Sequence, residues 1–178
     1  MKTDSYKKAA VLVGAALLII LDQVTKFAVE NELKGKGRQV MAVIPGFLEF
    51  SYLENPAAAF GLLGDVIGVV MVLTLLVTAG ILAGLFWYKQ HSAFSYTAAA
   101  LLLAGGLGNL IDRITRGYVV DFIHVEFFHY IFNVADCCVT VGACFLVLHY
   151  LLITHREKRA LAAVSEGAED TETQQERE

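Results

Sequence analysis

Four stretches of this chain are apolar over about the 20 residues that a helix needs to cross a bilayer core of roughly 30 Å. They run over about 9–27, 66–88, 93–111 and 131–153, and no proline falls inside any of them. In lipid a backbone segment must satisfy its own hydrogen bonds, so such stretches predict helices. A mean hydropathy of +0.57 agrees, as does a charged fraction of only 18%. Lys2, Lys7 and Lys8 precede the first stretch as in a signal peptide. However, Asp22-Gln23-Val24-Thr25-Lys26 follows it in place of a small-residue cleavage site, so the first stretch reads as an uncleaved span.

Four spans place both termini on one side. Seven basic residues flank that side (Lys2, Lys7, Lys8, Lys89, Arg156, Lys158 and Arg159) against six on the other. The positive-inside bias predicts cytoplasmic termini. The segment 28–65 is too long for a plain connector. Within it, 39–43 and 47–53 are rich in β-formers and flank Pro45-Gly46, which predicts a small hairpin lying on the membrane. The fold class expected is therefore membrane all-α with minor β: four transmembrane helices plus a small β-hairpin or sheet in the first extracytoplasmic loop. Residues 1–155 form one membrane-embedded domain. Residues 156–178 form a cytoplasmic tail, expected to be disordered, because 165–178 carries six acids, one base and no apolar periodicity. Cys137, Cys138 and Cys144 lie in one apolar run and read as buried thiols rather than a disulfide or metal set.

Ionisable residues within spans are costly and usually functional. Here they gather at one level. Asp22 and Lys26 sit at the outer end of the first span, with i, i+4 spacing that allows an ion pair. Asn109, Asp112 and Arg113 share a face at the outer end of the third, where Asp112 and Arg113 form a further candidate pair. Asn133 and Asp136 lie one turn apart at the start of the fourth, and Asp121 sits in the loop before it. Each cluster adjoins a loop on the same side, and the inner halves of the spans are nearly free of charge. The pattern predicts a site at the outer bilayer boundary. Asp121 and Asp136 have no basic residue at helical spacing, which makes them the candidate catalytic pair.

Two carboxylates sharing a site do not both ionise easily, so one keeps a proton. The ionised one can take a proton from water while the other polarises an amide carbonyl. No Ser or Cys lies beside a His in a hydrolase motif. His124, Glu126 and His129 lack the zinc-protease spacing and read as interfacial side chains. The chain calls for no metal or cofactor, and it has no basic stripe or phosphate loop for nucleic acid. A small transporter or an assembly protein is the alternative. A transporter would carry polar residues through the full depth of the spans.

The motifs Asp22-Gln23-Val24-Thr25-Lys26, Asn55-Pro56-Ala57-Ala58-Ala59-Phe60-Gly61, Gly108-Asn109-Leu110-Ile111-Asp112-Arg113, Val119-Val120-Asp121-Phe122 and Phe132-Asn133-Val134-Ala135-Asp136 occur in this order. With them the chain resembles the bacterial signal peptidase II family from the first span to about residue 153. The resemblance implies an aspartic endopeptidase of the bacterial inner membrane that removes the signal peptide from prolipoproteins, cutting before a cysteine already carrying diacylglycerol. It implies Asp121 and Asp136 as the catalytic pair, and Asp22, Lys26, Asn55, Asn109, Arg113 and Asn133 as polar positions binding substrate. It also implies a small sheet and a mobile segment over the site, contact with membrane lipid, and inhibition by peptide antibiotics of the globomycin type. One departure is Pro56-Ala57, where the family usually has a Thr-like residue and Gly. Proline biases Asn55 toward an extended backbone.

Overall fold

The structure is a computed structural model and describes residues 2–37, 40–56 and 67–175, with side chains described as far as Arg159. Helix α1 covers Lys2–Val29 and runs into a π-helical turn, Glu30–Lys34. Strands β1 (Val40–Ile44) and β2 (Leu48–Asn55) follow, then helices α2 (Ile67–Trp87) and α3 (Ala93–Arg116). Strands β3 (Val119–Val125) and β4 (Ile131–Phe132) lead into helix α4, Val134–Gln175. All four helices are long and apolar enough to cross a membrane. At about 1.5 Å per residue α2 is roughly 31 Å long, one hydrocarbon thickness.

Helix α3 is the centre of the bundle, packing against α1, α2 and α4. Small residues let it do so. A Cβ on Gly105 would run into the Ala135 carbonyl oxygen and Val139 of α4, and one on Gly108 would lie 2.8 Å from Asp22 Oδ2 of α1. Its ends are fixed locally. Ser92 and Ser95 form a reciprocal capping box, and Gly117 closes the other end in the left-handed conformation (φ 80°), its N–H donating to the Arg113 carbonyl. Val11, Ala15, Leu85, Leu103 and Ala104 form the core between α1, α2 and α3. Much of the apolar surface stays exposed instead, including Leu17, Leu76, Val77, Val147 and Tyr150. A soluble monomer does not leave patches of this size open, but helices facing lipid tails do.

The sheet is larger than a hairpin. Its order is β1-β2-β3-β4, antiparallel throughout, so two strands come from the loop before α4. The turn at Pro45-Gly46 forms, with Gly46 at φ 74°. β2 pairs with β3 over most of its length, placing Leu53 opposite Asp121 and Asn55 opposite Val119. Val29, Leu33 and Phe122 pack beneath the sheet with Phe50 and Tyr52, fixing it onto the end of α1.

Two expectations are corrected. Residues 131–132 belong to β4, so α4 begins at Val134. The tail from 156 continues α4 as helix to Gln175 rather than being disordered. Ala160, Leu161, Ala162 and Ala163, followed by several Glu and Gln, are strong helix formers, and they extend a helix already nucleated in the membrane. Of the three cysteines, Cys138 is buried, Cys137 half-buried and Cys144 exposed, all free thiols.

Candidate active site

The site is built where the sheet meets the ends of α1, α3 and α4. Asp121 comes from β3, and Asp136 from the first turn of α4. Asn133 joins them. It caps α4: its backbone N–H donates to Asp136 Oδ2 (3.2 Å), and its Oδ1 accepts from the Asp136 N–H (2.9 Å). Its Nδ2 points the other way and donates to Asp121 Oδ1 at 2.6 Å. One buried amide therefore sets the spacing of both carboxylates.

Each carboxylate has a second amide donor. Asn55 Nδ2 donates to Asp121 Oδ2 at 2.8 Å, and Asn109 Nδ2 donates to Asp136 Oδ1 at 2.8 Å. Asn55 can do this because it ends β2 opposite the start of β3. Pro56 leaves that contact in place, whereas 57–61 of the same motif lie outside the described residues. Asp136 sits in the first turn of α4. Asp121 is 2% exposed, and burial pushes its pKa up to about 6; the negative charge of Asp136 adds to this, while the Asn55 and Asn133 hydrogen bonds oppose it. Of the pair, Asp121 is thus the carboxyl that burial pushes toward keeping its proton.

Behind the pair lies a buried ionic network. Lys26 Nζ reaches Asp22 Oδ2 (2.8 Å), Asp112 Oδ2 (2.9 Å) and Asn109 Oδ1 (2.9 Å). Asp112 is held further by Arg116, by Gln23 and by the Val120 N–H. Asp22 also accepts the Ala135 N–H at 2.9 Å, tying α1 to the start of α4. The candidate pair of Asp112 with Arg113 is replaced: Arg116, one turn on, and Lys26 of α1 hold Asp112. Arg113 donates to the Asn109 carbonyl and lies within electrostatic range of both Asp136 and Asp121. The Asp22–Lys26 pair forms, but as part of this larger cluster.

Exposure divides the six residues expected to bind substrate. Asp22, Lys26 and Asn133 have 1%, 0% and 0% of their surface accessible and are engaged with other side chains of the site. Asn55, Asn109 and Arg113 are half-buried and face the accessible side with Asp136. Gln23 and Arg116 were not singled out from the sequence. Gln23 meets Asp112 only when α1 packs on α3, whereas Arg116 stands four residues after Asp112 on α3, an ion-pair spacing that the sequence displays. His124 pairs with Glu49 across β3 and β2 at 2.6 Å, a sheet contact away from the pair. No cluster of three metal-ligating side chains occurs among the described residues.

Comparisons with known proteins bear on the family and the fold. A family model described as signal peptidase (SPase) II matches residues 14–152. A protein of Caldanaerobacter subterraneus subsp. tengcongensis named lipoprotein signal peptidase is 39% identical over 142 residues, covering 80% of this chain and 94% of that one. One of the same name from Streptococcus pneumoniae is 39% identical over 146 residues, covering 82% and 94%. Two solved structures described as bacterial membrane enzymes superpose with TM-scores of 0.73 and 0.72, at 33% and 31% identity. They cover 80% and 82% of this chain and 93% and 90% of theirs.

Proposed function

This chain belongs to the signal peptidase II family, multi-pass membrane proteases that remove signal peptides in lipoprotein processing, and from that premise we propose that it works as an aspartic endopeptidase with Asp121 and Asp136 as its catalytic pair. The observation that carries this is Asn133, one buried amide holding a protonatable Asp121 and Asp136 in a single site. Asp136 takes a proton from a water molecule as that water attacks the scissile carbonyl carbon. Asp121 donates a hydrogen bond to the carbonyl oxygen, stabilising the charge that develops there. When the tetrahedral intermediate collapses, the C–N bond breaks and a proton passes from the pair to the leaving amine. Asn109 and Asn55 keep each carboxylate aimed throughout, and Arg113 offsets the negative charge.

The substrate is a prolipoprotein cut immediately before a cysteine that already carries diacylglycerol. The position of the pair supports this: it lies where the spans meet the sheet, so two acyl chains can remain in lipid while the peptide bond meets the carboxylates at the water boundary. The protein sits in the bacterial inner membrane with both termini cytoplasmic and the site at the outer face. Membrane lipid surrounds it, peptide antibiotics of the globomycin type compete for the site, and nucleic acid has no part. Mass spectrometry of a diacylglyceryl-modified prolipoprotein incubated with the purified protein tests the cleavage point. The expected product begins with the lipidated cysteine; cleavage elsewhere, or equal cleavage of the unmodified precursor, would overturn the assignment.

A further inference from the structure

The Lys26 ammonium has three N–H bonds and three partners, two of which are anions. Its Nζ lies 2.8 Å from Asp22 Oδ2, 2.9 Å from Asp112 Oδ2 and 2.9 Å from Asn109 Oδ1. Lys26, Asp22 and Asp112 are all sealed from solvent, at 1% exposure or less. Two carboxylates against one ammonium leave an excess negative charge in a low-dielectric interior, where an unpaired charge is costly. Arg116 supplies the missing cation. Its Nη1 stands 2.5 Å from Asp112 Oδ1, the oxygen that Lys26 does not take. The other donors to Asp112, Gln23 and the Val120 N–H, are neutral. Arg113, beside Asp112 in the chain, donates instead to the Asn109 carbonyl.

Arg116 comes from the last turn of α3, and its side chain is 21% accessible, at the rim of the network. The second end of its guanidinium is also held. Nη2 lies 3.7 Å from Glu30 Oε2, and Glu30 accepts from the Tyr52 hydroxyl at 3.5 Å. Arg116 therefore joins the end of α3 to the π-helical turn after α1 and, through it, to β2.

The consequence reaches Asp136. Lys26 only donates and a carboxylate only accepts, so the Asn109 amide between them has one orientation. Its Oδ1 faces Lys26, and its Nδ2 donates to Asp136 Oδ1 at 2.8 Å. Asn133 Nδ2 adds a longer contact to the same Oδ1, at 3.1 Å. Of the three partners of Lys26, Asn109 is the only neutral one. Without Arg116, the uncompensated charge on Asp112 draws the ammonium toward the carboxylates, and the Asn109 contact is the one that yields. Resting on the peptidase reading, we propose that Arg116 is a positioning residue that acts through Asp112, Lys26 and Asn109 to keep Asp136 aimed. Its own partners are Asp112 and Glu30, not the proposed catalytic pair.

The test measures kcat and KM separately for a lipidated prolipoprotein, per mole of folded full-length enzyme. In Arg116→Met, kcat is expected to fall about tenfold, with KM within about twofold of wild type. Arg116→Lys, which keeps a cation one turn from Asp112, is expected to recover most of the loss. In Asn109→Ala the path is already cut, so adding Arg116→Met is expected to lower kcat by less than about twofold. A role in folding alone would lower the yield of folded enzyme and leave its kcat unchanged. An unchanged kcat in folded Arg116→Met overturns the proposal alone, as does an equal loss in both backgrounds. Where Arg116→Met does not fold, Arg116→Gln keeps a donor for Asp112 without the charge and is read by the same criteria. A folded wild type that does not cut the lipidated prolipoprotein overturns the peptidase reading and this proposal with it.

Discussion

At the scale of single residues, Asn133 carries more of the site than either carboxylate alone, because its two ends address both. Removing its side chain strips one donor from Asp121 and the cap from α4. Asn133→Ala is expected to cost about 1 kcal/mol of stability through the cap and to lower kcat by on the order of 10²-fold through misplaced carboxylates. Thermal unfolding and turnover of the same preparation check this, and a kcat near wild type would refute the positioning role. Asp121 makes a pH prediction. Its protonated form is the one required, and its pKa is pushed up to about 6, so kcat/KM is expected to fall with unit slope as pH rises through about 6. The same shift implies that folding stability contributed by Asp121 is full below its ordinary range near 3.8 and is lost as pH rises through about 6. A rate profile still climbing above pH 7 would instead make Asp121 the base. The two proposed acids stood out in the sequence because neither had a helical partner, and the structure brings them together on Asn133. The grip of Lys26 on Asp112 did not, since Lys26 is 86 residues away along the chain and meets it only when α1 packs on α3.

At the scale of elements, α3 positions the site by lying close to its neighbours. Gly105→Val would force it away from α4 at Ala135 and Val139, drawing Asn109 off Asp136. Overpacking of this kind costs about 1–3 kcal/mol, and the loss of activity is expected to exceed the loss of folded protein when both are measured on one sample. Lys26→Met tests the joint between α1 and α3. It leaves Asp22 and Asp112 facing each other in a buried site without their shared cation, at an expected cost of about 3–5 kcal/mol. A melting temperature within a degree or two of wild type would show that the network is dispensable. The four helices were readable from apolar length alone, and the β1–β2 turn from Pro45-Gly46. The recruitment of β3 and β4 to the same sheet was not, because pairing with β2 is a long-range contact that local composition does not encode. The helical tail was missed for the converse reason: charge suggested disorder, but local propensity and an existing helix prevailed.

At the scale of the whole molecule, polar groups from four separate elements meet at the end of the bundle that carries the sheet, while the middle of the helix surface is mostly apolar. That arrangement was readable from connectivity, since every cluster adjoined a loop on the same side. It fits chemistry at a membrane boundary better than passage through a membrane, which would need polar lining along the full depth. Cleavage of a diacylglyceryl-modified prolipoprotein by wild type, Asp121→Asn and Asp136→Asn in lipid is the most direct measurement, with the unmodified precursor as control. Wild type is expected to cut only the lipidated precursor, and each variant to fold and bind it with turnover lowered by at least about 10³-fold. Turnover near wild type in either folded variant would rule out Asp121 and Asp136 as the catalytic pair.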